Sequence, residues 1–347
     1  MQVESPHAAL LVLPINDEHH VCRLSDEGAV PVANFPCSAD ARLFHEEGSQ
    51  RIAVIDEKRK RAALYELLAE APWLRVLVKP QPLPAGCRGH VAQALADTLL
   101  VGGHSTSGEA LWQRREDHGS GEWECIPIPE ALRRRGKAVD GLHVDGNRLI
   151  AVDDIVIPKW IFLYRIESDA TLAMDRSIEL STHTSYEQVL ASSLGHETLW
   201  LVSRGMNHGR VSGYVWGLDR RSLKPVVCWS ATEGSGDRLM ADILRPYRSP
   251  MPPPPPAALA KAVAVTEWKD ALWVACEQRG LHRITLRGSR AEWQGAAPVQ
   301  VAGVELREVR AVIPSPARRC PGLFLLGSSI EGRVHHQFLH ARALGLE

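Results

Sequence analysis

Gly141–Asp153 reads GLHVDGNRLIAVD, two apolar runs either side of the turn residues Asp145-Gly146-Asn147. Apolar residues close to a Gly-containing turn are a strong hairpin signal, because Gly tolerates positive φ. A third run, Trp160–Ile166 (WIFLYRI), follows shortly after. The second run recurs through the chain as Arg51–Asp56 (RIAVID), Thr98–Gly102 (TLLVG), Thr198–Ser203 (TLWLVS), Ala271–Cys276 (ALWVAC) and Gly322–Gly327 (GLFLLG). The recurrence comes roughly every 40–50 residues, a period at which one unit cannot bury its apolar face alone and must lean on its neighbours.

Seven segments of this kind cover about 6–36, 39–83, 89–127, 139–180, 186–232, 262–301 and 306–344. The pattern resembles β-propeller repeat proteins at the level of architecture. It lacks the recurring Gly-His and Trp-Asp pairs of WD40 repeats and the double glycines of kelch repeats, since only Gly102-Gly103 occurs. The resemblance implies an all-β fold, a single propeller of seven blades with six or eight as alternatives, closed by N- and C-terminal strands that pair within the same blade. A pair of sandwich domains divided near 237–256 is the competing architecture. Two stretches read as helical, a short connector at Pro129–Gly136 and Ala62–Ala71 (AALYELLAEA). The prolines of the 234–260 segment, Pro250 and Pro252–Pro256, exclude a central strand and mark an insertion on the propeller face.

Composition narrows the function classes. Of 347 residues, 45% are hydrophobic and 23% charged, and 40 Lys plus Arg meet 41 Asp plus Glu. That balance does not favour a nucleic-acid binder, although Arg133–Arg135 and Arg204–Arg210 would be the basic runs to serve one. No stretch reaches the ~20 apolar residues of a membrane-spanning helix, and no signal-peptide pattern opens the chain. Seven scattered cysteines with no CxxC pair suit free thiols in a reducing compartment, so the expected location is the cytoplasm.

No motif announces chemistry or a cofactor. GxxxxGK[ST], GxSxG and HExxH are all missing, and Ser105 beside His104 reads as a polar turn because adjacent strand residues point apart. Three weaker constellations stand out. Ring closure would bring His20 and Cys22 near His336 and His340, with neighbouring His19 and His335, as nitrogen and sulfur donors for one ion such as zinc. Asp153 and Asp154 end a strand as Asp56 does in the second segment, with Ser203, Cys276 and Gly327 at like positions, so these could ring a channel mouth. Arg204, Asn207, His208 and Arg210 share one Gly-punctuated loop suited to an anion or acidic partner. The sequence therefore leads us to expect a non-enzymatic scaffold presenting loops to a protein partner, with a plugged channel. The alternative is a metal-dependent hydrolase of the propeller-lactonase kind, with a metal near Asp153, Asp154 and His104 or His208 at one channel mouth. A nucleic-acid-associated module comes third.

Overall fold

The computed structural model describes residues 9–25, 28–45, 50–115, 121–130, 138–153, 159–180, 186–207, 210–232, 261–277, 280–285, 296–298, 306–316, 321–329, 331–344 and 346. Within them the chain builds seven sheets, each an up-and-down meander of antiparallel strands in sequence order. The first strands of blades 1 to 7 are Leu10–Ile15, Arg42–His45, Cys87–Leu95, Val139–Asp145, Tyr186–Leu194, Ala262–Trp268 and Leu306–Pro314, and from blade 2 on they are the innermost. The strands next to them are Glu18–Ser25, Arg51–Asp56, Thr98–Ser105, Arg148–Asp153, Thr198–Asn207, Ala271–Cys276 and Gly322–Ser329. The protein is a seven-bladed propeller, and the seven segments of the sequence reading coincide with its blades.

From blade 2 to blade 7 the second strands carry a continuous apolar core of three or more residues because both of their faces are covered there. In blade 4, Leu149 and Ala151 pack toward blade 3 while Ile150 and Val152 pack toward blade 5. All four are 1% exposed or less. Fully burying such a side chain stabilises the fold by ~1.5–3 kcal/mol relative to leaving it in water. The apolar clusters fall between successive blades and run round the whole ring, the last joining Phe324 of blade 7 to Leu11, Leu13 and Leu24 of blade 1. A continuous circuit of interfaces leaves no sheet face for a second domain, which removes the two-sandwich alternative for the described residues.

The N- and C-terminal strands do meet and close the ring, and they do so as neighbouring blades. Among the described residues blades 1 and 7 are separate three-stranded sheets. Asp17 N–H donates to the Val334 carbonyl at 3.2 Å, Val334 N–H donates to Asp17 Oδ1 at 2.8 Å, and His336 Nδ1 donates to the Pro14 carbonyl at 2.8 Å.

Turn chemistry follows the sequence closely. Gly146 has φ +62° in the two-residue loop that joins Asp145 to its partner Arg148. The helical expectation for Ala62–Ala71 is corrected: Arg61–Leu67 is a strand. Its helix formers are overruled because Ala62 and Leu64 are needed against blade 3 while Ala63, Tyr65 and Leu67 are needed against blades 1 and 2, a period of two. The Pro129–Gly136 connector lies mostly outside the described residues, and the proline-rich insertion lies wholly outside them. No helix among the described residues is long and apolar enough to cross a membrane.

Candidate active site in the central channel

The innermost strands share an irregularity at the same level. The pairing register slips between Gly89 and Val91 in blade 3, Val139 and Gly141 in blade 4, and Val189 and Ala191 in blade 5. The same slip falls between Ala262 and Ala264 in blade 6 and between Val309 and Ala311 in blade 7. Each slip inserts one residue that leaves the ladder, and a bulge of this kind re-aims a side chain. The inserted residues are His90, Asp140, Leu190, Val263 and Arg310. Four of these, all but Val263, line an open cavity of about 700 Å³ walled mainly by first strands of the blades. That is the size of a small-molecule site.

Two of them touch. The Asp140 carboxylate accepts a short hydrogen bond from His90 Nδ1, and both side chains are mostly buried. His90 Nε2 then faces His104 Nδ1 at 3.0 Å, with the two rings edge to face, 4.9 Å between centroids. The result is a chain Asp140–His90–His104 running from the cavity wall in blade 4 to the second strand of blade 3. Gly103 makes the last link feasible. A Cβ there would lie 2.1 Å from the Arg88 carbonyl, so only glycine lets His104's strand approach the bulge this closely.

The chain has two protonation states with one heavy-atom arrangement. With Asp140 ionised and both imidazoles neutral, His90 Nδ1–H donates to Asp140 and His104 Nδ1–H donates to His90 Nε2. With one more proton, His90 is a cation donating from both nitrogens. Taking up or releasing that proton moves no side chain, which is what acid–base catalysis asks of a site. The same cavity is lined by Arg42, which pairs with Glu57 and donates to the Gly89 carbonyl at 2.6 Å. His45 and His143 also line it, and burial lowers both imidazoles to about 4.

Of the residues singled out from sequence, His104 belongs to this hydrogen-bonded chain and His19 and Gly327 line the cavity, while the others sit elsewhere. His336 is committed to the Pro14 carbonyl, His340 Nδ1 accepts from Arg342 N–H at 3.2 Å, and His20 lies 3.7 Å from Glu18. Cys22 is buried, its S–H directed at the His20 carbonyl, and burial pushes its thiol up to about 11. The described residues hold no group of three or more His, Cys, Asp or Glu side chains placed to bind a metal ion. Asp153, Ser203 and Cys276 do occupy equivalent strand ends, opposite Val139, Val189 and Ala262. They are buried beneath the bulges instead of ringing the mouth. Asp56 takes the N–H groups of Ser38 and Arg59 and so caps turns. Arg204 makes an ion pair with Glu277 at 2.9 Å, linking blades 5 and 6, and Asn207 is the ladder partner of Arg210 at a hairpin end. Asp154 and His208 lie outside the described residues. Ser105 bonds Ser107 and Glu109 within its own turn.

Sequence reading missed His90, Asp140, His143 and Arg310. A signal was available: each bulge residue stands between small or β-branched residues within an inner strand, as in Gly-His-Val, Val-Asp-Gly, Val-Leu-Ala, Ala-Val-Ala and Val-Arg-Ala.

No family model and no curated protein matches this chain. Solved structures do. The chain is similar to a candidate 6-phosphogluconolactonase from Bacteroides fragilis, at 10% identity and TM-score 0.54, over 98% of this chain and 97% of that one. A candidate 6-phosphogluconolactonase from Bacteroides uniformis gives 13% identity and TM-score 0.54 over 96% of each chain. The dihydro-heme d1 dehydrogenase NirN gives 11% identity and TM-score 0.52, over 98% of this chain and 75% of that one. At these identities the likeness shows the fold. The expectation of a non-enzymatic scaffold with a plugged channel is corrected by two findings. The three propellers just described carry enzyme names, and the channel is a cavity with histidine and aspartate side chains in contact.

Proposed function

We propose that this chain is a propeller hydrolase acting on a lactone or ester of a polar acid within the central channel. The observation that carries this reading is the Asp140–His90–His104 chain on the cavity wall. A water beside Asp140 gives its proton to the chain while its oxygen attacks the substrate carbonyl carbon. As the ring or ester C–O bond breaks, that proton passes to the leaving alkoxide, and a hydroxy acid results. His90 holds the carboxylate in place and shares its charge, and His104 fixes His90. The lactone class is suggested by the names of two of the similar propellers. The free thiols of Cys22, Cys37, Cys87, Cys125 and Cys276 suit a reducing compartment, in keeping with a cytoplasmic enzyme.

The test is proton release, followed with a pH indicator, from a panel of sugar-acid lactones with and without phosphate. Turnover should appear for at least one member, and Asp140→Asn and His90→Gln should lower kcat/KM by ~10²–10⁴. No turnover across the panel, or an Asp140→Asn enzyme within tenfold of the parent, would refute the reading.

A further inference from the structure

Two residues of the same cavity form a second chemical unit that the acid–base chain does not use. His143 of blade 4 and Ser192 of blade 5 both line it, and His143 Nε2 lies 2.8 Å from Ser192 Oγ. We infer that Ser192 is a nucleophile activated by His143, so that the channel hydrolyses its substrate through a covalent acyl-serine. The inference rests on the hydrolase reading above and puts Ser192 Oγ in place of water as the group that first attacks the carbonyl carbon, water attacking only in the second half of the cycle.

Three features of the geometry support it. The first is direction. With the imidazole proton on Nδ1, Nε2 accepts from the serine hydroxyl, the arrangement that general-base activation of a serine needs. Burial keeps that imidazole neutral until about pH 4, so its lone pair is available at neutral pH. The second feature is clearance. The nearest neighbour to an added Cβ at Gly141 would be Ser192 Oγ, at 2.5 Å. Gly141 therefore makes the space in which the hydroxyl sits, and any larger residue would displace it. The third is placement, since Gly141 and His143 stand on the strand that carries Asp140 at its bulge. One inner strand thus brings the relay, the clearance and the base to a single wall.

The chemistry balances without any further reactant. Ser192 Oγ loses its proton to His143 Nε2 and bonds to the carbonyl carbon. The ester or lactone C–O bond breaks, and His143 returns the proton to the departing oxygen. Water then attacks the acyl carbon, giving its proton to His143, and the Oγ–C bond breaks as that proton goes back to Ser192. For a lactone the released alcohol is part of the same molecule, and the product is the open hydroxy acid.

The experiment is labelling of the full chain with a fluorophosphonate probe, in which the Oγ–P bond forms and fluoride leaves, with mass spectrometry locating the adduct. The expected result is an adduct on Ser192 in the parent protein, lost in Ser192→Ala and kept in Ser193→Ala. His143→Gln should slow labelling about 100-fold, and Gly141→Ala should slow it while adding no chemical group to the site. Locating the adduct in the parent needs no variant to fold. No adduct, or an adduct elsewhere with Ser192 unmodified, overturns the inference. If lactone turnover persists and depends on Asp140 while Ser192 stays unlabelled, the covalent route falls and the hydrolase reading stands. If Ser192 is labelled and no lactone or ester turns over, it is the hydrolase reading that falls.

Discussion

Replacing Asp145 by Ala should loosen the seam between blades 4 and 5. Asp145 Oδ1 accepts from Arg220 Nε at 3.1 Å and Nη2 at 2.8 Å, and Oδ2 takes a short bond from Arg148 Nη2. The carboxylate is 13% exposed, the two guanidinium groups 27% and 31%. Charged hydrogen bonds contribute ~1.5–3 kcal/mol each, and three taken singly would give roughly 5–9. That sum overshoots, because the arginines are near solvent and keep other acceptors. Arg148 still donates to the carbonyls of Arg220 and Arg221, and Arg220 to those of Gly195 and His196. What is lost is one buried ionic anchor, about 2–3 kcal/mol, below the ~3–5 of a fully buried pair. Urea melts of parent and variant read this directly as a lower midpoint with unchanged slope. The pH dependence has a definite sign. Burial by itself raises the carboxyl, and the hydrogen bonds and charges of Arg220 and Arg148 outweigh it, so Asp145 sits below the ordinary carboxylate value. Its contribution is therefore complete above the unfolded value near ~4 and is lost as pH falls below that. An Asp145→Ala protein within 0.5 kcal/mol of the parent (about the spread of ordinary surface substitutions) would refute the reasoning.

Three further outcomes follow from the packing. His45 and His143 titrate at about 4 in the fold because burial disfavours their charged forms. The unfolded chain binds those protons first, so stability is full above the ordinary imidazole value near ~6.5 and declines as pH falls from there toward 4; imidazole resonances that titrate near 6.5 in the native protein would contradict this. Gly102→Ala puts a Cβ 2.6 Å from Val139 Cγ1 and 2.8 Å from Val91 Cγ1, between blades 3 and 4. It should cost ~1–3 kcal/mol in a thermal or urea melt, and a neutral result would mean the seam has slack. Glu267→Ala strips the acceptor from the fully buried Trp200 indole, bonded at 2.7 Å, and from His196 N–H at 3.2 Å. A loss of about 1–3 kcal/mol with altered Trp emission is expected, and an unchanged melt would argue against that bond.

Blade boundaries were legible because each second strand is sealed on both faces. Runs such as RLIAVD and TLWLVS must then be apolar through their four central positions, and a short apolar run is easily seen in a polar background. Turns were legible where a backbone demand falls on one residue, as at Gly146. Propensity misled at Ala62–Ala71, where alternate burial overrode it. The candidate site was illegible for a different reason. Strand alternation gives a facing to each side chain only while the register holds, and His90 and Asp140 are the residues at which it slips. His143 and Ser192 lie 49 positions apart in the chain, joined only by blade-to-blade contact. Attention to clustered histidines near the termini favoured residues that the fold spends on carbonyls, as His336 is on Pro14.

The extra residue on the inner strands has a consequence for how such a channel can change over generations. A bulge residue belongs to no ladder pair, so exchanging it leaves the register of its blade as it was. Histidine, aspartate, leucine, valine and arginine all occupy that place in this one chain. The ring is in effect a dial of substituents, each turned from the next by one seventh of a circle, with His90 and Asp140 the pair that touch. New specificities can be sampled there one position at a time while the blades themselves stay as they are.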